Sequence, residues 1–108
     1  MKIEQVALGE DHTLALDANE RTVYAWGKSS DGQLGTEGKA FIRSPSISPA
    51  LSAPVDSPVT VVQDLHALGD CSAARHISSS SSKITVVYVG QSCKKLEQAF
   101  RTAFLLQT

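Results

Sequence analysis

Hydrophobic and polar residues alternate from His12 to Leu16, with His12, Leu14 and Leu16 on one face and Thr13, Ala15 and Asp17 on the other. A period of two marks a half-buried strand. Thr22 to Gly27, TVYAWG, is rich in β-branched and aromatic residues and predicts a second strand. Between them lies DANER, Asp17 to Arg21, whose Asp and Asn suit a turn, so the two strands predict a hairpin. Asp31-Gly32 marks a further turn, because glycine accepts a positive φ at no steric cost.

Residues 36–58 change character. All four prolines lie there, at 45, 49, 54 and 58, and each removes a ladder donor. The stretch predicts a Ser/Pro-rich loop or linker between an ordered segment at 1–35 and another at 59–90. In the second segment VTVVQDLHALG begins β-rich, and Lys83 to Gly90, KITVVYVG, is the strongest strand in the chain. Ser78 to Ser82 reads as a flexible insert. In the tail, 91–108, Leu96, Phe100, Ala103 and Phe104 recur at helical spacing, with Lys94, Lys95 and Arg101 mostly elsewhere on the wheel, which predicts a short amphipathic helix.

The two ordered segments resemble each other. Ala7-Leu8-Gly9 precedes an acid, and so does Ala67-Leu68-Gly69, an offset of 60. VYAWG ends at Gly27 and VVYVG at Gly90, an offset of 63, with the difference assigned to the serine insert. Such self-similarity is the signature of a repeat architecture.

The first copy resembles one repeat of the regulator of chromosome condensation family. The resemblance rests on Gly9, His12, Thr13, Ala15 and Leu16, then Val23, Tyr24, Trp26 and Gly27, then Gly32, Gln33, Leu34 and Gly35. Three motifs in order and spacing make it specific. The second copy departs from the pattern. Ser72 stands for the histidine, Val89 for the tryptophan, and Gly-Gln-Leu-Gly is missing; both copies have leucine, Leu8 and Leu68, where a small residue is usual. The resemblance implies a mainly β fold, a partial β-propeller of one to two blades of a seven-bladed type. It implies that His12 ties strands together by hydrogen bonds. It implies a protein–protein interaction scaffold, a fragment of a longer propeller, and self-association to complete one. The alternative it implies is guanine-nucleotide exchange on a small GTPase such as Ran.

Composition narrows the chemistry. The 108 residues suit one small domain, and a net charge of −1 gives no footprint for nucleic acid or chromatin. No run is apolar enough for a membrane span. Two distant cysteines, Cys71 and Cys93, form no C-x-x-C pair, which predicts neither a disulfide nor a zinc site and, with no secretory signal visible, a cytosolic or nuclear location. Gly27-Lys28-Ser29 is no phosphate loop, since Thr22 stands where its first glycine belongs. His66, Cys71 and His76 have spacings outside the usual zinc sets. Glu10, Asp11, Asp17 and Glu20 read as solvated turn charges, and Tyr24 and Trp26 as core. No cofactor, metal or enzymatic activity is expected. Ser44, Ser48 and Ser57 precede prolines and are candidate phosphorylation targets.

Overall fold

The computed structural model describes residues 2–36 and 40–107, the last seven of these as backbone alone. Seven strands precede one helix: β1 (Ile3–Leu8), β2 (His12–Asp17), β3 (Val23–Lys28), β4 (Phe41–Ile47), β5 (Thr60–Leu68), β6 (Cys71–Ser78), β7 (Ile84–Gly90) and α1 (Lys94–Gln107). They form two antiparallel meanders, a four-stranded sheet β1-β2-β3-β4 and a three-stranded sheet β5-β6-β7. The fold is mainly β, a propeller fragment with one four-stranded blade and one of three strands. The hairpin expected from the alternation at 12–16 is β2–β3, joined through Asp17 to Thr22. The amphipathic tail is α1; the side chains of Arg101, Ala103 and Phe104 lie outside the described residues.

The sheets pack face to face. Leu14 and Leu16 of β2 and Val23 and Ala25 of β3 meet Leu65 and Ala74 of the second sheet, with Leu34, Leu51 and Ala53 filling between them. Burying a side chain of this size contributes about 1.5–3 kcal/mol.

The stretch expected as a Ser/Pro-rich loop or linker is not one throughout its described residues, 36 and 40–58. They supply β4, and Leu51 and Ala53 are core residues. The proline argument fails for a local reason. β4 is an edge strand that pairs only with β3, and its register shifts between Ile42 and Ser46, so Pro45 falls where no ladder donor is required. The crossing to β5 is gripped by Arg21. Its Nη2 donates to Pro54 O at 2.9 Å, and its Nη1 donates to the carbonyls of Ser57 (3.2 Å) and Thr60. Arg21→Ala leaves these carbonyls, of which those of Ser57 and Thr60 are half-buried, without that donor and is expected to lower the unfolding free energy by about 1–3 kcal/mol, read by urea denaturation. A loss within about 0.3 kcal/mol would show that the loop holds itself.

The strand registers give the repeat its true offset. A register shift lies between Ile3 and Gln5 in the first sheet and between Val62 and Asp64 in the second, 59 positions on. His12 pairs with Gly27 as Cys71 pairs with Gly90. The offset is therefore 59 through the first two strands of each copy, not 60, and 63 at the third; four residues, not three, are added, and they lengthen the second hairpin by the pairs His76–Thr85 and Ile77–Ile84 rather than its turn. Cys71, and not Ser72, occupies the place of His12. The Ala-Leu-Gly match at 60 aligned residues that point to opposite faces, because a one-residue slip reverses every side chain of a strand.

Cys71 and Cys93 form a disulfide, with Cα atoms 5.2 Å apart. This corrects the expectation of two free thiols. Sequence distance hid the pair; Gly90 lies beside Cys71, and Cys93 follows it by three residues. The expected cytosolic or nuclear location loses the part of its support that rested on reduced thiols.

Candidate functional site: the inter-sheet hub and the open blade face

His12 is 4% exposed and lies at the β1–β2 corner. Its ring covers Gly9 so closely that a Cβ there would sit 2.1 Å from Cε1. Its Nε2 is 2.7 Å from Ser72 Oγ in the second sheet, and Ser72 Oγ donates in turn to Gln33 O at 2.5 Å. The serine proton is thereby committed, so Nε2–H is the donor and Nδ1 carries no proton. Nδ1 is buried without a hydrogen-bond partner. Burial lowers the His12 pKa below the ordinary value, partly opposed by the charges of Asp70 and Asp11. A neutral imidazole bonded to the Ser72 hydroxyl links the sheets.

The Gly32–Gly35 loop completes this hub. Gln33 and Leu34 are fully buried, and the Gln33 Oε1 accepts from Asp31 N at 3.0 Å. Gly35 abuts Ser48 and Ala50. Around the hub, Gln5 Nε2 donates to Gln63 O at 2.9 Å across the bulge of β5, and His76 Nε2 donates to Leu51 O at 2.8 Å. Ser72, Gln5 and Arg21 carry no motif and were not legible as contacts; only their partners in space reveal them.

The opposite face of the first sheet is open. Paired residues share a face, so the rows Leu8–Thr13–Trp26 and Val6–Ala15–Tyr24–Ile47 run across it, with Phe41 beside Lys28. Leu8 is 70% exposed, Val6 59%, Phe41 58% and Ile47 56%. Tyr24 and Trp26, expected in the core, are half-buried members of this outer face. Contiguous apolar surface of this kind marks an interaction site. The alternation at 13, 15 and 17 was the available signal for it.

The remaining expected residues separate. Lys28 Nζ lies 3.3 Å from Asp31 Oδ2 at the end of β3, with no phosphate cradle around it. That hydrogen-bonded pair raises the Lys28 pKa. Of the carboxylates, Asp17 caps its own turn by accepting from Asn19 N at 3.0 Å. His66 faces α1, 4.6 Å from the Phe100 ring, whereas His76 faces the other sheet and Cys71 is oxidised. Among the described residues no three His, Cys, Asp or Glu side chains converge on a metal position. Ser44 is exposed, and Ser57 is half-buried, its Oγ 2.6 Å from Thr60 Oγ1. Ser48 is fully buried and bonded through its backbone N to Val23 O, so the folded chain cannot offer it to a kinase; its Ser-Pro step belongs to a packed turn.

Comparison with known proteins agrees with this geometry. The profile of the Regulator of chromosome condensation (RCC1) repeat matches residues 3–33. These residues run from β1 through the loop that carries Gln33. Among solved structures, the crystal structure of human WBSCR16 is similar at 31% sequence identity and a TM-score of 0.54. The likeness covers 71% of this chain and 17% of that one.

Proposed function

Residues 3–33 form a regulator of chromosome condensation repeat, and from that premise we propose that the chain is a protein-interaction scaffold whose open β1–β4 face receives another propeller blade. One observation carries the proposal: Val6, Leu8, Phe41 and Ile47 present an apolar face to solvent on the side of the blade away from the second sheet. The second sheet shows what such a face accepts. Its residues at the equivalent positions, Leu65, Ala74 and Val89, pack against the first sheet. The chain has no chemistry of its own in this reading.

A photo-crosslinking residue placed at Leu8 tests it, with the same probe at Val55, on an exposed turn, as the comparison. The Leu8 probe is expected to give adducts whose peptides come from a propeller repeat, and the Val55 probe is not. Equal adducts from both positions would refute the proposal. Leu8→Lys is expected to cut partner recovery at least about tenfold while shifting stability by under about 0.5 kcal/mol, because the side chain is already in water. Exchange of guanine nucleotide on a small GTPase such as Ran is the alternative that the family suggests. Unchanged release of labelled nucleotide at micromolar chain would remove it.

A further inference from the structure

The two faces of the second sheet have different neighbours. One packs on the first sheet; the other is covered by α1. The register identifies that second face. Cys71, Ala73 and Arg75 hold the positions of His12, Leu14 and Leu16, and Val86 and Tyr88 hold those of Val23 and Ala25. In the first copy this is the face that packs against the following blade. The helix α1 therefore stands where a following blade would pack.

Over its described side chains, its attachment is narrow. Among the described side chains of α1, Leu96 alone is buried, at 7% exposure, against Cys71 and Ala73. Phe100 is half-buried, its ring centroid 6.1 Å from Tyr88, with the Arg75 guanidinium 5.8 Å from its centre. Lys94, Lys95 and Gln98 face water. The firm link is the Cys71–Cys93 disulfide. It occupies the corner where His12, in the first copy, bonds to Ser72 of the next blade. A covalent link to α1 thus replaces a hydrogen bond to a blade.

We propose that α1 is a removable cap latched by the Cys71–Cys93 disulfide, and that the face beneath it binds the open β1–β4 face of a second copy once that bond is reduced. This rests on the reading of the open face given above. The reductant is a dithiol. Its thiolate attacks one sulfur, the Cys71–Cys93 bond breaks, and a mixed disulfide forms; the second thiol resolves it. The dithiol leaves as a cyclic disulfide, having given two electrons and two protons to the two cysteines. Freed of the latch, the helix keeps Leu96 and Phe100 as its apolar contacts among the described side chains, and a helix of this length is marginal alone. The exposed face then meets a face of the complementary kind, and each added copy presents the same pair. The association is heterologous, head to tail.

Sedimentation velocity on the full chain tests this, oxidised and with excess dithiothreitol, alongside Cys93→Ser and with Leu8→Lys introduced into each. Hydrogen exchange over 94–100 reports release of α1. The oxidised chain is expected to stay monomeric. The reduced chain and Cys93→Ser are expected to lose protection over 94–100 and to associate at least about tenfold more tightly, and Leu8→Lys is expected to return both to monomer. A reduced chain that stays monomeric with α1 released overturns the cap, as does an α1 that stays protected after reduction. Equal association in both redox states overturns the latch but leaves the open-face reading standing. Association in which Leu8→Lys changes nothing overturns the open-face reading, and the cap with it.

Discussion

Gly27→Val and Gly90→Val are each expected to unfold most of the chain at room temperature. The two glycines are the same position in successive copies, next to last in β3 and last in β7, and their φ angles are +108° and +112°. Such angles strain any other residue by about 1–3 kcal/mol. The second term is steric. A Cβ at Gly27 would lie 2.5 Å from Asp11 O and 2.8 Å from His12 Cα; one at Gly90 would lie 2.1 Å from Asp70 O. These are backbone atoms of the neighbouring hairpin, so no rotamer relieves the clash. The strand end must swing away, breaking the Lys28 N to Asp11 O bond (2.9 Å) in one copy and the Gln91 N to Asp70 O bond (3.3 Å) in the other. The sum exceeds about 4 kcal/mol, close to the whole margin of a small domain. Gly32→Ala is the control. Its φ is +77°, but a Cβ there meets nothing within 4 Å, so only the strain of about 1 kcal/mol is expected. Circular dichroism during urea titration reads all three. Equal losses at Gly27 and Gly32 would show that the close approach contributes nothing.

Those two glycines also show what the sequence made legible. VYAWG and VVYVG could be matched because a positive φ near the end of a strand restricts that position to glycine, and that constraint is local. The β2–β3 hairpin was legible for the same reason: alternation and turn chemistry sit within neighbouring residues. The offset of the second copy was not. Ala-Leu-Gly is a weak motif, and only the pairing of His12 with Gly27 and of Cys71 with Gly90 fixes which residue faces where. The same cause hid the disulfide, since closeness of Cys71 and Cys93 follows from the β6–β7 register and not from spacing. β4 was obscured by composition. Prolines argue against a central strand but not against an edge, and nothing local tells which strand is an edge. The open face was half legible: the polar side of the alternation was visible in β2, yet Tyr24 and Trp26 were assigned to the core because aromatics usually go there. Exposure is a property of how many sheets stack, which a single repeat does not encode.

His12→Ala is expected to cost about 2–4 kcal/mol at pH 8, from the lost ring packing over Gly9 and the lost bond to Ser72. It is also expected to flatten the pH dependence of stability. In the unfolded chain His12 takes a proton near 6.5; in the folded chain burial lowers that value. Between the two values the unfolded state binds more protons, so the contribution of neutral His12 is whole above pH 6.5 and is lost as the pH falls toward the folded value. The chemistry of the hub requires this direction. Nε2–H is already given to Ser72 Oγ, whose own proton goes to Gln33 O. A second proton would have to enter at Nδ1, a buried atom with no acceptor in reach. Denaturation of both proteins from pH 8 to about pH 5 measures the difference. The wild-type curve is expected to fall more steeply than that of His12→Ala in the acid range. Parallel curves would mean that His12 titrates alike in both states, and the neutral hub would be refuted. A cycle with Ser72→Ala separates the bond from the packing, with a coupling of about 0.5–3 kcal/mol expected between the two positions. If the coupling is absent, the apolar core around Leu14, Leu16 and Leu34 holds the sheets without help from the Ser72 bond, and His12 serves only to fill the space above Gly9.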